Sequence, residues 1–212
     1  MKTISLILAR GGSKGIKRNN LIDLKGKPLL SHVVEIAKKS NVDEVWVSTE
    51  DEEIASVALT YGASVIRRPL ELAGDTSTSE EALIHFTENI DYDIMVFIQA
   101  TSPMVTCEDI NKGIAMMKSG RYDSIFSVTE EHWIPRWTED LQPVNWDPQN
   151  RPRRQDKEKT YIENGAFYIT SREFLKKNNN RYGGTLGVVK MPLARSFQID
   201  SLEDLRLIEK LL

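Results

Sequence analysis

The densest run of chemistry-bearing residues follows a short apolar segment near the amino terminus: Ala9-Arg10-Gly11-Gly12-Ser13-Lys14-Gly15-Ile16-Lys17-Arg18-Asn19-Asn20. Glycines let a backbone turn tightly and approach a ligand closely, so that successive N–H groups can point at phosphate oxygens. Arg10, Lys14, Lys17 and Arg18 place cationic donors where a polyphosphate would lie. The spacing is neither the Gly-x-x-x-x-Gly-Lys-Ser/Thr of a Walker A loop nor Gly-x-Gly-x-x-Gly. A phosphate-cradling turn is expected, and the plainer alternative is a glycine-rich surface turn with solvated lysines.

Such a turn needs elements that hold it at a sheet edge. Apolar runs at 4–9, 45–49, 64–66, 94–99 and 124–128 read as strands; several are rich in β-branched residues and lack polar alternation, as strands covered on both faces do. Helical patterns fall between them. Pro28 opens one, 53–61 is closed by Gly62, and the capping box Thr78-Ser79-Glu80-Glu81 starts another that runs to about Asn89. Thr106 with Asp109, and Ser201 with Asp204, mark two more starts. The alternation predicts a three-layer α/β fold with a mostly parallel sheet. It also puts the glycine-rich turn at the carboxyl end of the first strand, where open parallel sheets bind ligands.

One stretch, 130–159, breaks the rhythm. Trp133, Trp137 and Trp146 fall there with Pro135, Pro143, Pro148 and Pro152, followed by Arg151, Arg153 and Arg154. Long segments without periodicity are usually functional or disordered, and tryptophan and arginine mark the centres of interfaces. An arm, serving dimerisation, is the expectation; a solvated loop is the alternative.

The chain has 212 residues, 28 basic and 31 acidic, for a net charge of -3, and its 40% hydrophobic and 28% charged content is that of an ordinary globular domain. Disorder is excluded by this balance and a disulfide scaffold by the single cysteine, Cys107. The opening apolar run is too short for a membrane span or signal core, so a soluble, cytoplasmic (or nuclear) protein is expected. No overall charge draws it to nucleic acid or membrane, and neither is expected as a partner. His32 and His85 have no companion ligands at metal spacing and read as packed or surface histidines.

The segment "LARGGSKGI" (8–16) resembles the opening signature of the CMP-sialic acid synthetases, cytidylyltransferases that activate nonulosonic acids with CTP. "VWVSTEDEEIA" (45–55), "RRP" (67–69), "DTSTSEEAL" (75–83), "IQATSP" (98–103), "YDSIFSV" (122–128), "RPRRQD" (151–156) and "ENGAFYIT" (163–170) follow in that family's order and spacing. The blocks cover nearly the whole chain, and "RPRRQD" and "ENGAFY" are closest to the animal-type enzymes. The resemblance implies one domain, 1–212, of the nucleotide-diphospho-sugar transferase (Rossmann-like) type, with an inserted dimerisation arm at 130–162 and a homodimer.

Roles follow from the resemblance, residue by residue. Arg10 and Lys14 are implied as the catalytic cations on the triphosphate, with Gly11, Gly12 and Ser13 in the nucleotide loop. Asn20, Arg68 and Ser79 are implied to hold the cytidine portion. Gln99, Thr101, Ser102 and Tyr168 are implied in the sugar pocket, Arg154 at the sugar carboxylate of the neighbouring subunit, and Asp200 on Mg²⁺. Without the family pattern, Ser79 would be a helix-cap residue, Arg68 an exposed charge, Gln99 a strand end and Asp200 a helix-start partner. Two positions depart from it. Where the family has Pro-x-Lys-Asn this chain has Lys17-Arg18-Asn19-Asn20, leaving Lys17 or Arg18 to stand in for the lysine. Where many members have Asp-x-Asp it has Gln198-Ile199-Asp200. Alternatives are the same chemistry on legionaminate, pseudaminate or a Kdo-type acid, or a catalytically silent nucleotide-sugar binder.

Overall fold

The computed structural model describes residues 1–12 and 15–212, and for Arg154 the backbone alone. Its apolar runs form seven strands: β1 (Thr3–Leu8), β2 (Glu44–Thr49), β3 (Ser64–Arg67), β4 (Ile94–Gln99), β5 (Ser124–Glu130), β6 (Tyr161–Ser171) and β7 (Leu186–Lys190). Six helices alternate with them: α1 (Leu29–Lys39), α2 (Glu52–Thr60), α3 (Ser79–Asn89), α4 (Cys107–Lys118), α5 (Arg172–Asn178) and α6 (Leu202–Leu211). The sheet order is β7-β5-β6-β4-β1-β2-β3. Every neighbouring pair is parallel except the two that β6 makes, with β4 and with β5. The reason is the connection. Between β5 and β6 there is no crossover helix, so the chain leaves and re-enters at one edge and β6 must run backwards.

Strand alternation sends one set of side chains to each face. Val96, Ile98, Phe167 and Ile169 pack with Val33 and Val34 of α1, Ile54 of α2 and Ile114 of α4. Leu6, Met95, Phe97 and Tyr168 pack with Leu83 and Phe86 of α3 and Leu175 of α5. A third cluster joins Ile16 of the glycine-rich turn to Ile199 and to Ile208 of α6. This is the three-layer α/β architecture that the sequence predicts. Capping boxes form at Thr78/Glu81, Thr106/Asp109 and Ser201/Asp204. Sequence periodicity did not mark α5 or β7, which are short and flank the polar run Asn178-Asn179-Asn180.

The arm leaves the carboxyl edge of β5. It carries a two-residue ribbon, Arg136–Trp137 with Pro143–Val144, and short 3-10 turns at Pro148–Asn150 and Arg154–Asp156. Trp146 is its centre: Trp137 and Trp133 stand edge-on to it at 5.0 and 6.3 Å, and its indole N–H donates to the Arg136 carbonyl (3.0 Å). Arg151 lies over the Trp146 ring and Lys157 over that of Trp133. The tryptophans therefore pack on one another as a small core inside the arm. His32 is packed as expected, its Nε2 2.8 Å from the Leu24 carbonyl oxygen. Among the described residues, no helix is long and apolar enough to cross a membrane.

Phe86 is fully buried, edge-on to Trp46 at 5.7 Å and 5.9 Å from Tyr92. Phe86→Ala is expected to lower the unfolding free energy by about 3–5 kcal/mol in urea titration, from lost transfer energy and the cavity left behind. A loss under about 1 kcal/mol would contradict this packing.

Candidate active site

The carboxyl ends of β1, β3 and β4 converge on one cleft of about 270 Å³ on the α3 side of the sheet. Leu8, Phe97 and Gln99 form its floor, the 72–79 segment its wall, and Arg10 and Arg68 its charged rim. Ser79 is the first residue of α3, so the positive end of that helix opens into the cleft. Four residues singled out from sequence, Arg10, Arg68, Ser79 and Gln99, are brought together here.

Arg68 is 7% exposed, which corrects its plain sequence reading as a surface charge. Glu50, at the end of β2, makes that burial tolerable: Oε2 lies 3.4 Å from an Arg68 Nη, while Oε1 accepts the Gly11 N–H at 2.7 Å. Burial pulls the Arg68 guanidinium below its usual value, Glu50 opposes this, and the nearby Arg10 adds to it. Arg68 Nε is buried without a hydrogen-bond partner. Arg10 donates through Nη1 to the Gly74 carbonyl (2.8 Å) and Asp75 (3.3 Å). Two guanidiniums lining one cleft place a concentrated positive charge there.

The turn itself is braced from below. Asp51 caps α2 through the Glu53 and Ile54 amides and receives both Nη atoms of Arg18 at 3.2 Å. Burial pushes the Asp51 carboxyl up, but these donors outweigh it and hold the group below the usual range. A Cβ on Gly11 would stand 2.6 Å from Asp51 Oδ2, so a glycine is required for this approach. Arg18, in the left-handed region and also paired with Glu53, is turned to α2. Asn20 donates to the Arg10 carbonyl (2.9 Å) and thus fixes the turn. Gly12 is exposed. Ser13, Lys14 and the Arg154 side chain lie outside the described residues.

The sugar-side candidates are placed differently. The Thr101 and Ser102 hydroxyls are buried without partners and do not line the cleft. Tyr168 touches it through Phe97: its ring stacks on Phe97 and Tyr182, each at 5.8 Å, with Arg181 4.8 Å from its centre. Arg181 is gripped by both carboxylate oxygens of Glu80, next to Ser79. The Tyr168 hydroxyl donates to Glu163, and burial, then Glu163, raises its pKa. Asp200 stands beside Gly15, so close that a Cβ there would collide with its carbonyl oxygen. Partial burial and Asp204 push its carboxyl above the usual aspartate range. No three His, Cys, Asp or Glu side chains converge as a metal cluster among the described residues.

Glu50, Arg181 and Glu163 were not singled out from sequence. Glu50 had a signal, an acidic residue directly after a parallel strand; the other two depend on tertiary contacts alone. A larger concavity of about 480 Å³ lies in the arm, between Glu130 at the end of β5, Trp133, Arg136 and Lys157.

Fold and cleft together define a three-layer α/β domain with a charged cleft at the carboxyl end of its parallel strands. A family model described as cytidylyltransferase matches residues 4–212, and the chain belongs to that family. N-acylneuraminate cytidylyltransferase A of Danio rerio is 41% identical over 182 residues, 82% of this chain and 42% of that protein. Pseudaminic acid cytidylyltransferase of Campylobacter jejuni is 33% identical over 217 residues, 97% of this chain and 94% of that protein. The chain thus spans less than half the length of the Danio rerio relative and nearly all of the bacterial one. A solved CMP:2-keto-3-deoxy-manno-octonic acid synthetase complexed with CTP has the same fold, at TM-score 0.78 and 18% identity over 100% of this chain and 98% of that one.

Glu50→Ala would leave Arg68 buried without its carboxylate and the Gly11 amide without its acceptor. A loss of about 3 kcal/mol in urea unfolding is expected. A change within about 0.5 kcal/mol would show that the pair does not hold this edge.

Proposed function

We propose that this chain transfers the cytidylyl group of CTP to a nonulosonic, sialic-type acid, giving the CMP-sugar and pyrophosphate. The observation that carries this reading is the convergence of Arg10 and Arg68 on one cleft that also holds Ser79 and Gln99. The printed names of the relatives, acting on N-acylneuraminate and pseudaminic acid, support the substrate class. Pseudaminate, legionaminate and Kdo-type acids remain as alternative acceptors within it.

In this reading the anomeric hydroxyl oxygen attacks the α-phosphorus, a new P–O bond forms as the α–β bridge breaks, and the hydroxyl proton passes to solvent. Arg10, with Lys14, neutralises charge on the α-phosphate and the departing pyrophosphate. Arg68 and Ser79 hold the cytidine portion. Gln99, whose amide both donates and accepts, meets the sugar. Catalysis is then positioning and charge neutralisation, with no covalent enzyme intermediate. The main chain of Asp200 lies against Gly15 of the glycine-rich turn, and its one carboxylate with phosphate oxygens and waters is a donor set that suits Mg²⁺. When bound, Mg²⁺ offsets charge on the phosphate oxygens. Arg154 reaches the sugar carboxylate from a partner's arm, in a homodimer built on 130–162; exposed Ile134, Trp137 and Leu141 in that arm support the interface. The proposed compartment is the cytoplasm or nucleus.

The test is pyrophosphate release from CTP and Mg²⁺ with N-acetylneuraminate, Kdn, legionaminate, pseudaminate or Kdo as acceptor. Release is expected with one of these acids, and Arg10→Ala should slow it by at least about 100-fold. Thermal stabilisation by CTP with no release from any acid would establish a silent binder instead. Unchanged turnover in Arg10→Ala would contradict the role given to that residue.

A further inference from the structure

Residues 196–200 form a strap at the carboxyl edge with no helix or strand of their own. Asn164 of β6 holds one end: its Nδ2 donates to Ser196 Oγ, and its carbonyl accepts Gln198 Nε2, both at 2.9 Å. In the middle, the Ile199 N–H donates to the Thr101 carbonyl at 2.9 Å. The Ile199 carbonyl accepts Asn19 Nδ2 at 2.7 Å, a contact across 180 residues of chain. Both polar atoms of the Ile199 main chain are therefore fixed, one from the end of β4 and one from the turn after β1. Its side chain is fully buried in the cluster with Ile16 and Leu24. Gly15 closes on the carbonyl of Asp200.

The two side chains at issue are uncharged and committed. Gln198 points its amide nitrogen at the Asn164 carbonyl, beneath Gly165, whose φ of +69° leaves room only because it has no Cβ. A carboxylate at 198 would set an acceptor against that carbonyl and be repelled. Asn19 is 5% exposed, uses its donor on the strap, and leaves Oδ1 buried without a partner. An unpartnered buried acceptor costs about 1–3 kcal/mol. Holding the strap, or meeting a donor that arrives with the ligand, gives that cost a purpose.

We propose that Asn19 and Gln198 are positioning residues for Asp200: they lock the strap to the glycine-rich turn so that its single carboxylate stands beside the bound triphosphate, and neither ligates cation or phosphate through its nitrogen. This rests on the reading of Asp200 as a cation ligand toward CTP. It assigns a task to both positions where the sequence departs from the family pattern. It also makes the turn and the strap one mechanical unit, closed by Asn19 and Gly15 on one side and by Thr101 and Asn164 on the other.

The probe is Mn²⁺, titrated into the CTP-bound protein without acceptor acid and followed by water-proton relaxation, for wild type, Asp200→Ala, Asn19→Ala and Gln198→Glu. Each variant is expected to raise half-saturating Mn²⁺ by at least about tenfold, while CTP affinity measured without divalent metal shifts by less than about twofold. Circular dichroism checks the fold, and Gln198→Glu, away from the turn, keeps the test open should Asn19→Ala fail to fold. If Asp200→Ala weakens Mn²⁺ while Asn19→Ala or Gln198→Glu binds it as wild type does, the positioning proposal is overturned and the Asp200 reading stands. If Asp200→Ala leaves Mn²⁺ binding unchanged, both fall. A lower melting temperature with unaltered Mn²⁺ affinity would mark the two residues as merely structural and also overturn the proposal.

Discussion

Burying an arginine at the rim of the cleft requires a carboxylate, and Glu50 meets that requirement for Arg68 while also capturing the amide of Gly11. One side chain thus ties the ends of three neighbouring strands, β1, β2 and β3, into a single charged edge. The arrangement leaves Arg68 with an unpartnered donor and Arg10 close enough to be felt as a like charge. The charge of this edge is in this sense built into the sheet, since parallel strands present all their carboxyl ends, and the loops after them, on one side.

The remaining parts serve that edge. α3 brings its positive end and Ser79 to the cleft, and its first turn grips Arg181 through Glu80. That ion pair fastens the 179–184 segment over Tyr168, so the aromatic stack of Phe97, Tyr168 and Tyr182 continues from the cleft floor toward β5. The reversed strand β6 delivers Asn164 to the same edge and sends the arm outward before it. An acceptor site beside the nucleotide, completed from a neighbouring subunit, is the use proposed for this geometry.

How far the sequence disclosed this depended on the range of the forces involved. Capping is local, and the boxes at Thr78, Thr106 and Ser201 form where their spacing put them. Strands buried on both faces announce themselves by apolar runs, so the five read from sequence appear almost residue for residue. Arg68 read as a surface charge because its partner, Glu50, is set by strand pairing and invisible to periodicity. Arg18 looked free to meet phosphate, yet its left-handed backbone turns it to Asp51 and Glu53. The three tryptophans of the arm were legible as a cluster; that Trp133 and Trp137 meet Trp146 edge-on was a matter of tertiary geometry. Asn19 and Gln198 could be recognised as unusual from the family pattern, and only their contacts say what they hold.

The most direct test of the central claim is a crystal structure of the protein soaked with CTP and Mg²⁺. The account predicts the nucleotide in the cleft between Arg10, Arg68 and Ser79, with the triphosphate against the glycine-rich turn and the Arg10 guanidinium on its oxygens. Density for CTP anywhere else, above all in the concavity of the arm between Trp133 and Arg136, with the cleft of Arg10 and Arg68 left to solvent, would contradict it.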